Sequence, residues 1–101
     1  MVKHMILWKL REDLSPAEKE QVKLRIKQEL EALADMIDGL TEIHVQIHGL
    51  PTSTADLMLD STFTSAEALA AYAVHPAHVA VADSAVRPYT VQRSCLDYET
   101  E

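Results

Sequence analysis

The chain has little glycine and less cysteine: two of the first and one of the second, with one Trp, one Phe and three Tyr as its aromatic set. Two isolated glycines, Gly39 and Gly49, leave no room for a glycine-rich phosphate loop. The lone Cys95 excludes an internal disulfide and gives a cysteine-based zinc site no second thiolate. Basic residues are the minority, 9 against 16 acidic ones, for a formal charge of -7. No basic run offsets that charge, which repels phosphate backbones and anionic lipid. Nucleic acid and membrane are therefore not expected as partners. No apolar run approaches the ~18 residues of a membrane span. The short apolar opening, MVKHMILWKL, carries lysines and does not read as a secretory leader. With a single cysteine suited to a reducing compartment, the expected setting is cytoplasmic.

What remains is ordinary globular material: 101 residues, 48% hydrophobic and 25% charged. That supports one domain over residues 1–101. Val2, His4, Ile6, Trp8 and Leu10 alternate with Lys3, Met5, Leu7 and Lys9, which predicts a first strand. LSPAE then supplies Ser15 as N-cap, Pro16 at the first helical position and Glu18 as the partner of a capping box. Val22, Ile26, Leu30, Leu33 and Ile37 recur at helical spacing, so the helix is expected to run from Pro16 to about Asp38. Gly39 stops it. Thr41–His48 alternates as a second strand, and Asp56–Phe63 reads as a third. Thr64 and Glu67 form a second capping box for an alanine-rich helix to about Val74. His75–Pro76 interrupts that helix, because a residue before proline avoids the helical region. A short helix follows to about Val86, and Tyr89–Tyr98 reads as the last strand.

The order is β-α-β-β-α-β with a split second helix. This is the α+β, ferredoxin-like pattern of a four-stranded antiparallel sheet with helices on one face. The other face is then bare, and two helices are too few to hide Trp8 and all the branched aliphatics. An uncovered, partly apolar sheet face marks an interface. The expectation is a homodimer in which two sheets face each other and close a barrel.

Five histidines hold the chemical interest. His44 and His48 lie about 13 Å apart on one strand face, too far to share a metal, and read as a wet or rim face. Tyr72 and His75 share a helical face. Pro76 at the first helical position places His78 at the third, where the helix dipole and burial both disfavour the imidazolium. A neutral imidazole near pH 7 is what a general base requires, and a tyrosine hydroxyl one turn away suits a carbonyl or phenol. Spacing alone equally suits histidines that only cap or pack a kink. His4 sits between apolar neighbours on the first strand and reads first as a hydrogen-bonded core residue. If that face packs under the split helix, His4, Tyr72 and His78 converge on one apolar pocket. Asp56, Asp60 and Asp83 are carboxylates that read as solvated charges rather than as a magnesium site. Cys95 reads as a packing residue. No cofactor and no metal site is expected.

VKHMILWKL, LSPAE, FTSAEALAAYAVHPAHVAV and the closing DYE resemble the stress-responsive dimeric α+β barrel family over essentially the whole chain. HPAHV after a tyrosine-bearing helix is the most specific part. The resemblance implies a small dimer with ferredoxin-like protomers. Many members have no assigned reaction, and some are stress-induced. One plant member cyclises a linear polyketide by an aldol reaction. Its catalytic histidine matches His78, its supporting tyrosine Tyr72, its first-strand pocket histidine His4, and its histidine before proline His75. A second pocket tyrosine falls at Ile26 here, and a third-strand pocket histidine at about Leu57. The pocket implied for this chain is more apolar. Its floor is His4, Ile6 and Trp8 from the first strand with Leu57 and Leu59 from the third. Val22, Ile26 and Val81 complete it from the helices.

Two classes of function follow. One is a binding or structural barrel with an apolar pocket for a small apolar or phenolic ligand. The other is a cyclase-like lyase in which His78 removes a proton alpha to a carbonyl and Tyr72 donates to the enolate oxygen.

Overall fold

The computed structural model describes residues 1–100. Its elements follow the expected order: β1 (Val2–Leu10), α1 (Pro16–Glu31), β2 (Leu40–Gln46), β3 (Leu57–Phe63), α2 (Ala66–Val74), α3 (Pro76–Val81) and β4 (Thr90–Glu99). The four strands form one antiparallel sheet in the order β2-β3-β1-β4. This is the ferredoxin-like arrangement.

Local chemistry sets most boundaries. Ser15 accepts from the Glu18 N–H while the Glu18 carboxylate accepts from the Ser15 N–H, so the capping box at the head of α1 is complete. The α-helix ends at Glu31, earlier than the periodicity predicts, and the chain continues through a 3-10 turn over Ala32–Asp35. The helix end is bound to the sheet there: Glu31 Oε2 accepts from the Val45 N–H at 2.9 Å, and Lys27 Nζ donates to both Glu31 Oε2 and the Val45 carbonyl. Burial pushes the Glu31 carboxyl up, but the Lys27 ammonium and the Val45 N–H outweigh it and hold the group below its ordinary range. At the other helix the cap is Ser65, which accepts from the Ala68 N–H, rather than Thr64. Thr64 is engaged in extending the β2–β3 pairing, its N–H donating to the Gly39 carbonyl at 2.9 Å.

The inward residues of β1 (Val2, His4, Ile6, Trp8 and Leu10) are all buried under the helices with Val22, Ile26, Leu30, Leu57, Leu59 and Phe63. Trp8 is only 5% exposed, so the helices hide the indole, while aliphatics such as Leu7 and Leu96 stay uncovered. What the bare face presents is Leu7, Leu96 and Tyr98, all exposed, beside the half-buried Met5 and Met58. The helices also miss β4, in which Val91–Glu99 is exposed throughout. No helix among the described residues is long and apolar enough to cross a membrane.

Gly39 has φ +85, and a Cβ built there lies 2.5 Å from the Ala68 Cβ. Left-handed strain and a close contact with a side chain that cannot swing away therefore coincide. Gly39→Ala is expected to cost roughly 2 kcal/mol or more, lowering the melting temperature by about 10 °C. Thermal unfolding at one protein concentration checks this, and an unchanged melting temperature contradicts it.

Candidate functional site

The residue before Pro76 shapes the site. His75 is extended, with φ -65 and ψ 131, so α2 stops and α3 starts in a new direction. Its own ring is spent on this kink: Nδ1 accepts from the Ala77 N–H at 3.1 Å, making His75 the N-cap of α3 and not a pocket residue. The kink carries His78 back over Tyr72, with ring centroids 4.2 Å apart and planes at 35°.

Both rings line a cavity of about 410 Å³. Ile6, Trp8 and Leu59 form its sheet wall, and Leu30, Ala82 and Val86 its helical wall. Arg87, Thr90 and Arg93 supply its polar border. Tyr72 is 1% exposed, and its hydroxyl is buried with no hydrogen-bond partner. Burial drives the tyrosine pKa far above its ordinary value, so the phenol stays protonated. His78 is half-buried, and that burial is the largest cause of its lowered pKa. The Ala73 carbonyl pulls the other way, while Arg87, His4 and Arg93 add to the lowering. A carbonyl only accepts, so the 3.3 Å contact from His78 Nδ1 to the Ala73 oxygen puts the proton on Nδ1. Nε2 is then the basic nitrogen of the neutral ring.

Of the residues singled out in the sequence, Ile6, Trp8, Leu59, Tyr72 and His78 meet at this cavity. Val22, Ile26 and Leu57 are core side chains elsewhere, and Val81 packs against that core from its edge. His4 stands behind Tyr72, 6.3 Å between ring centroids, and faces away from the cavity toward β4. There its Nδ1 meets Asp97 Oδ1 at 2.5 Å. Cys95 is exposed beside this pair rather than packed, its Sγ 3.8 Å from His4 Nδ1 and 3.5 Å from Asp97 Oδ1. Burial, then the Asp97 carboxylate, raises the thiol pKa. His44 and His48 are exposed, with His48 against Glu20. Asp56 accepts from the Leu10 N–H, Asp60 pairs with Lys3, and Asp83 pairs with Arg87.

Arg87, Arg93 and the Asp97–His4 pair were missed by sequence reasoning. For Arg93 and the Asp97–His4 pair only the strand register could reveal them: β1–β4 pairing sets Trp8 opposite Arg93, Ile6 opposite Cys95 and His4 opposite Asp97. Arg87 lies in the 3-10 turn before β4, outside that register.

With this geometry in view, the chain matches the Stress responsive A/B Barrel Domain over residues 2–100. The chain belongs to that family. Among solved structures it is similar to a dimeric protein of unknown function with a ferredoxin-like fold from Bacteroides fragilis. That match has 36% identity, a TM-score of 0.90, and covers 98% of this chain and 95% of that one. A protein of Arabidopsis thaliana is 25% identical, with a TM-score of 0.79 over 100% of this chain and 96% of the other. A hydroxynitrile lyase from Passiflora edulis is 18% identical, with a TM-score of 0.75 over 96% of this chain and 90% of the other, and shows the fold alone. No curated protein matches. In this A/B barrel domain the Tyr72–His78 pair sits between an apolar wall and a polar border.

Because the folded pKa of His78 is depressed, the unfolded chain binds this proton first as pH falls. Its contribution to stability is present above the ordinary histidine pKa and fades as pH falls through the folded value. An NMR titration is expected to place His78 below about 6.5. A midpoint at or above that reference contradicts the site as described.

Proposed function

We propose that this A/B barrel protein is a homodimer binding a small, largely apolar molecule that carries one acidic or carbonyl oxygen. The observation carrying the proposal is the buried, unpartnered hydroxyl of Tyr72, a residue that lines the 410 Å³ cavity. A buried hydroxyl without a partner costs about 1–3 kcal/mol, and a ligand oxygen relieves that cost. With no exposed surface on the hydroxyl, a ligand reaches it by a small displacement of the cavity lining. Arg87 and Arg93 at the border favour negative charge on the same oxygen, as in a phenol or a β-dicarbonyl compound.

A catalytic reading rests on His78. Its neutral ring leaves Nε2 free to take a proton alpha to a carbonyl, while the Tyr72 phenol donates to the developing enolate. This is cyclase-like lyase chemistry, and it stands on these two side chains rather than on the Passiflora edulis lyase.

The dimer reading is supported by the bare sheet face, where Leu7, Leu96, Met5 and Met58 form an apolar centre between the Lys3–Asp60 pair and Gln46. An apolar centre with a polar rim is the anatomy of an interface. The Bacteroides fragilis relative is itself described as dimeric.

Two measurements test this. Light scattering is expected to give about twice 11.3 kDa at micromolar concentration. A persistent monomer overturns the dimer. Tyr72→Phe deletes the unpartnered hydroxyl, so its melting temperature is expected to equal or exceed that of the unaltered protein. The same variant is expected to bind acetylacetone or a simple phenol at least 10-fold more weakly in calorimetry. A less stable Tyr72→Phe with unchanged binding makes the hydroxyl structural and overturns the site. For the catalytic reading, His78→Ala is expected to abolish protein-catalysed deuterium exchange at the central carbon of acetylacetone.

A further inference from the structure

Outside the cavity, β1 and β4 bring three different donors together. His4 Nδ1, Cys95 Sγ and Asp97 Oδ1 all lie within 4.8 Å of one another, although 91 residues separate His4 from Cys95. The strand register is the cause: His4 pairs with Asp97 and Ile6 with Cys95, so the three side chains rise from the helix-facing side of adjacent strands. His4 is buried and anchored by the sheet, while Asp97 and Cys95 lie on the open strand, which gives an ion a path in from solvent.

A tetrahedral zinc-type ion, with bond lengths near 2.0–2.3 Å, needs donor-to-donor edges of about 3.3–3.6 Å. The sulfur edges here are 3.8 Å to His4 Nδ1 and 3.5 Å to Asp97 Oδ1. Only the 2.5 Å edge between His4 and Asp97 is too short, and it opens by a side-chain rotation of the exposed Asp97. One imidazole nitrogen, one thiolate and one carboxylate suit a borderline-soft ion, and neither magnesium nor calcium. A thiolate and a carboxylate together neutralise a divalent charge. Arg93, two residues from Cys95 on the same strand, is the cation beside the thiol.

We propose that His4, Cys95 and Asp97 bind one divalent ion of the zinc and cobalt class, with a water in the fourth position. Binding releases the Cys95 thiol proton to solvent, and the neutral His4 ring ligates through Nδ1 with its proton carried on Nε2. The site is independent of the ligand cavity, so it stands or falls separately from the reading of Tyr72 and His78. Three protein ligands with an open fourth position is the layout of a reactive rather than a closed structural site.

Titrating Co2+ alone into the reduced protein tests the proposal. The expected result is saturation at one ion per chain, with sulfur-to-cobalt charge-transfer absorption in the near ultraviolet. Cys95→Ser is expected to remove that absorption. Asp97→Asn, on an exposed strand, is expected to weaken binding by at least the ~10–100-fold that follows loss of even an outer-shell partner. His48→Gln, at an exposed histidine away from the cluster, is expected to change nothing. Cobalt bound without the sulfur band, binding insensitive to Cys95→Ser and Asp97→Asn, or no binding at all each overturns the proposal.

Discussion

Strand β1 is paired on both sides, and its two faces carry incompatible jobs. Its inward face holds Val2, Ile6, Trp8 and Leu10 under the helices, with His4 as one polar residue among them. A side-chain period of two gives the strand no freedom here, because a slip of one residue would bury the lysines and expose the core. With β1 fixed, β3 and β4 are fixed by register. That register assembles both the cavity wall of Ile6, Trp8 and Leu59 and the His4–Cys95–Asp97 cluster.

The cavity then depends on a second constraint, the proline at position 76. Pro76 forces His75 out of the helical region, and the reversal of direction stacks His78 on Tyr72. Two of the three histidines near this kink are spent on structure or on other contacts. His75 caps, and His4 answers Asp97. His78 contacts the Ala73 carbonyl through Nδ1 and leaves Nε2 uncommitted. The Tyr72 hydroxyl is the other uncommitted group, an unsatisfied polar atom in an otherwise well-paired core.

Much of this is legible in the chain. The alternation of Val2–Leu10, the Ser15–Glu18 capping box, Gly39 and the proline-split helix lead to the ferredoxin-like fold, because each is a local signal with a local cause. The Tyr72–His78 pairing is legible for the same reason, being six residues of helix and kink. Boundaries that depend on contacts across the fold are not. The end of α1 is set by Glu31 and Lys27 reaching Val45, and Ser65 displaces Thr64 as cap because Gly39 already holds Thr64. Arg93, Cys95 and Asp97 acquire meaning only through pairing with residues some ninety positions earlier, and no periodicity along β4 marks them. The reach of the helices is likewise not legible: their layer is wide enough over β1 to hide the Trp8 indole, and stops short at β4.

The two edges of the sheet are unequal. On β2, the Val45 N–H and carbonyl are both taken by Glu31 and Lys27, so a strand adding at that edge would find no pairing at this position. On β4, Val91–Glu99 stands uncovered. A sheet with two open edges can polymerise without limit, one strand after another. A sheet with one closed edge can be extended only once: when β4 meets β4 of a second copy, both β4 edges are consumed and the two β2 strands lie outermost. The side chains at the end of helix α1 thus make β2 the poorer of the two edges for another strand to join.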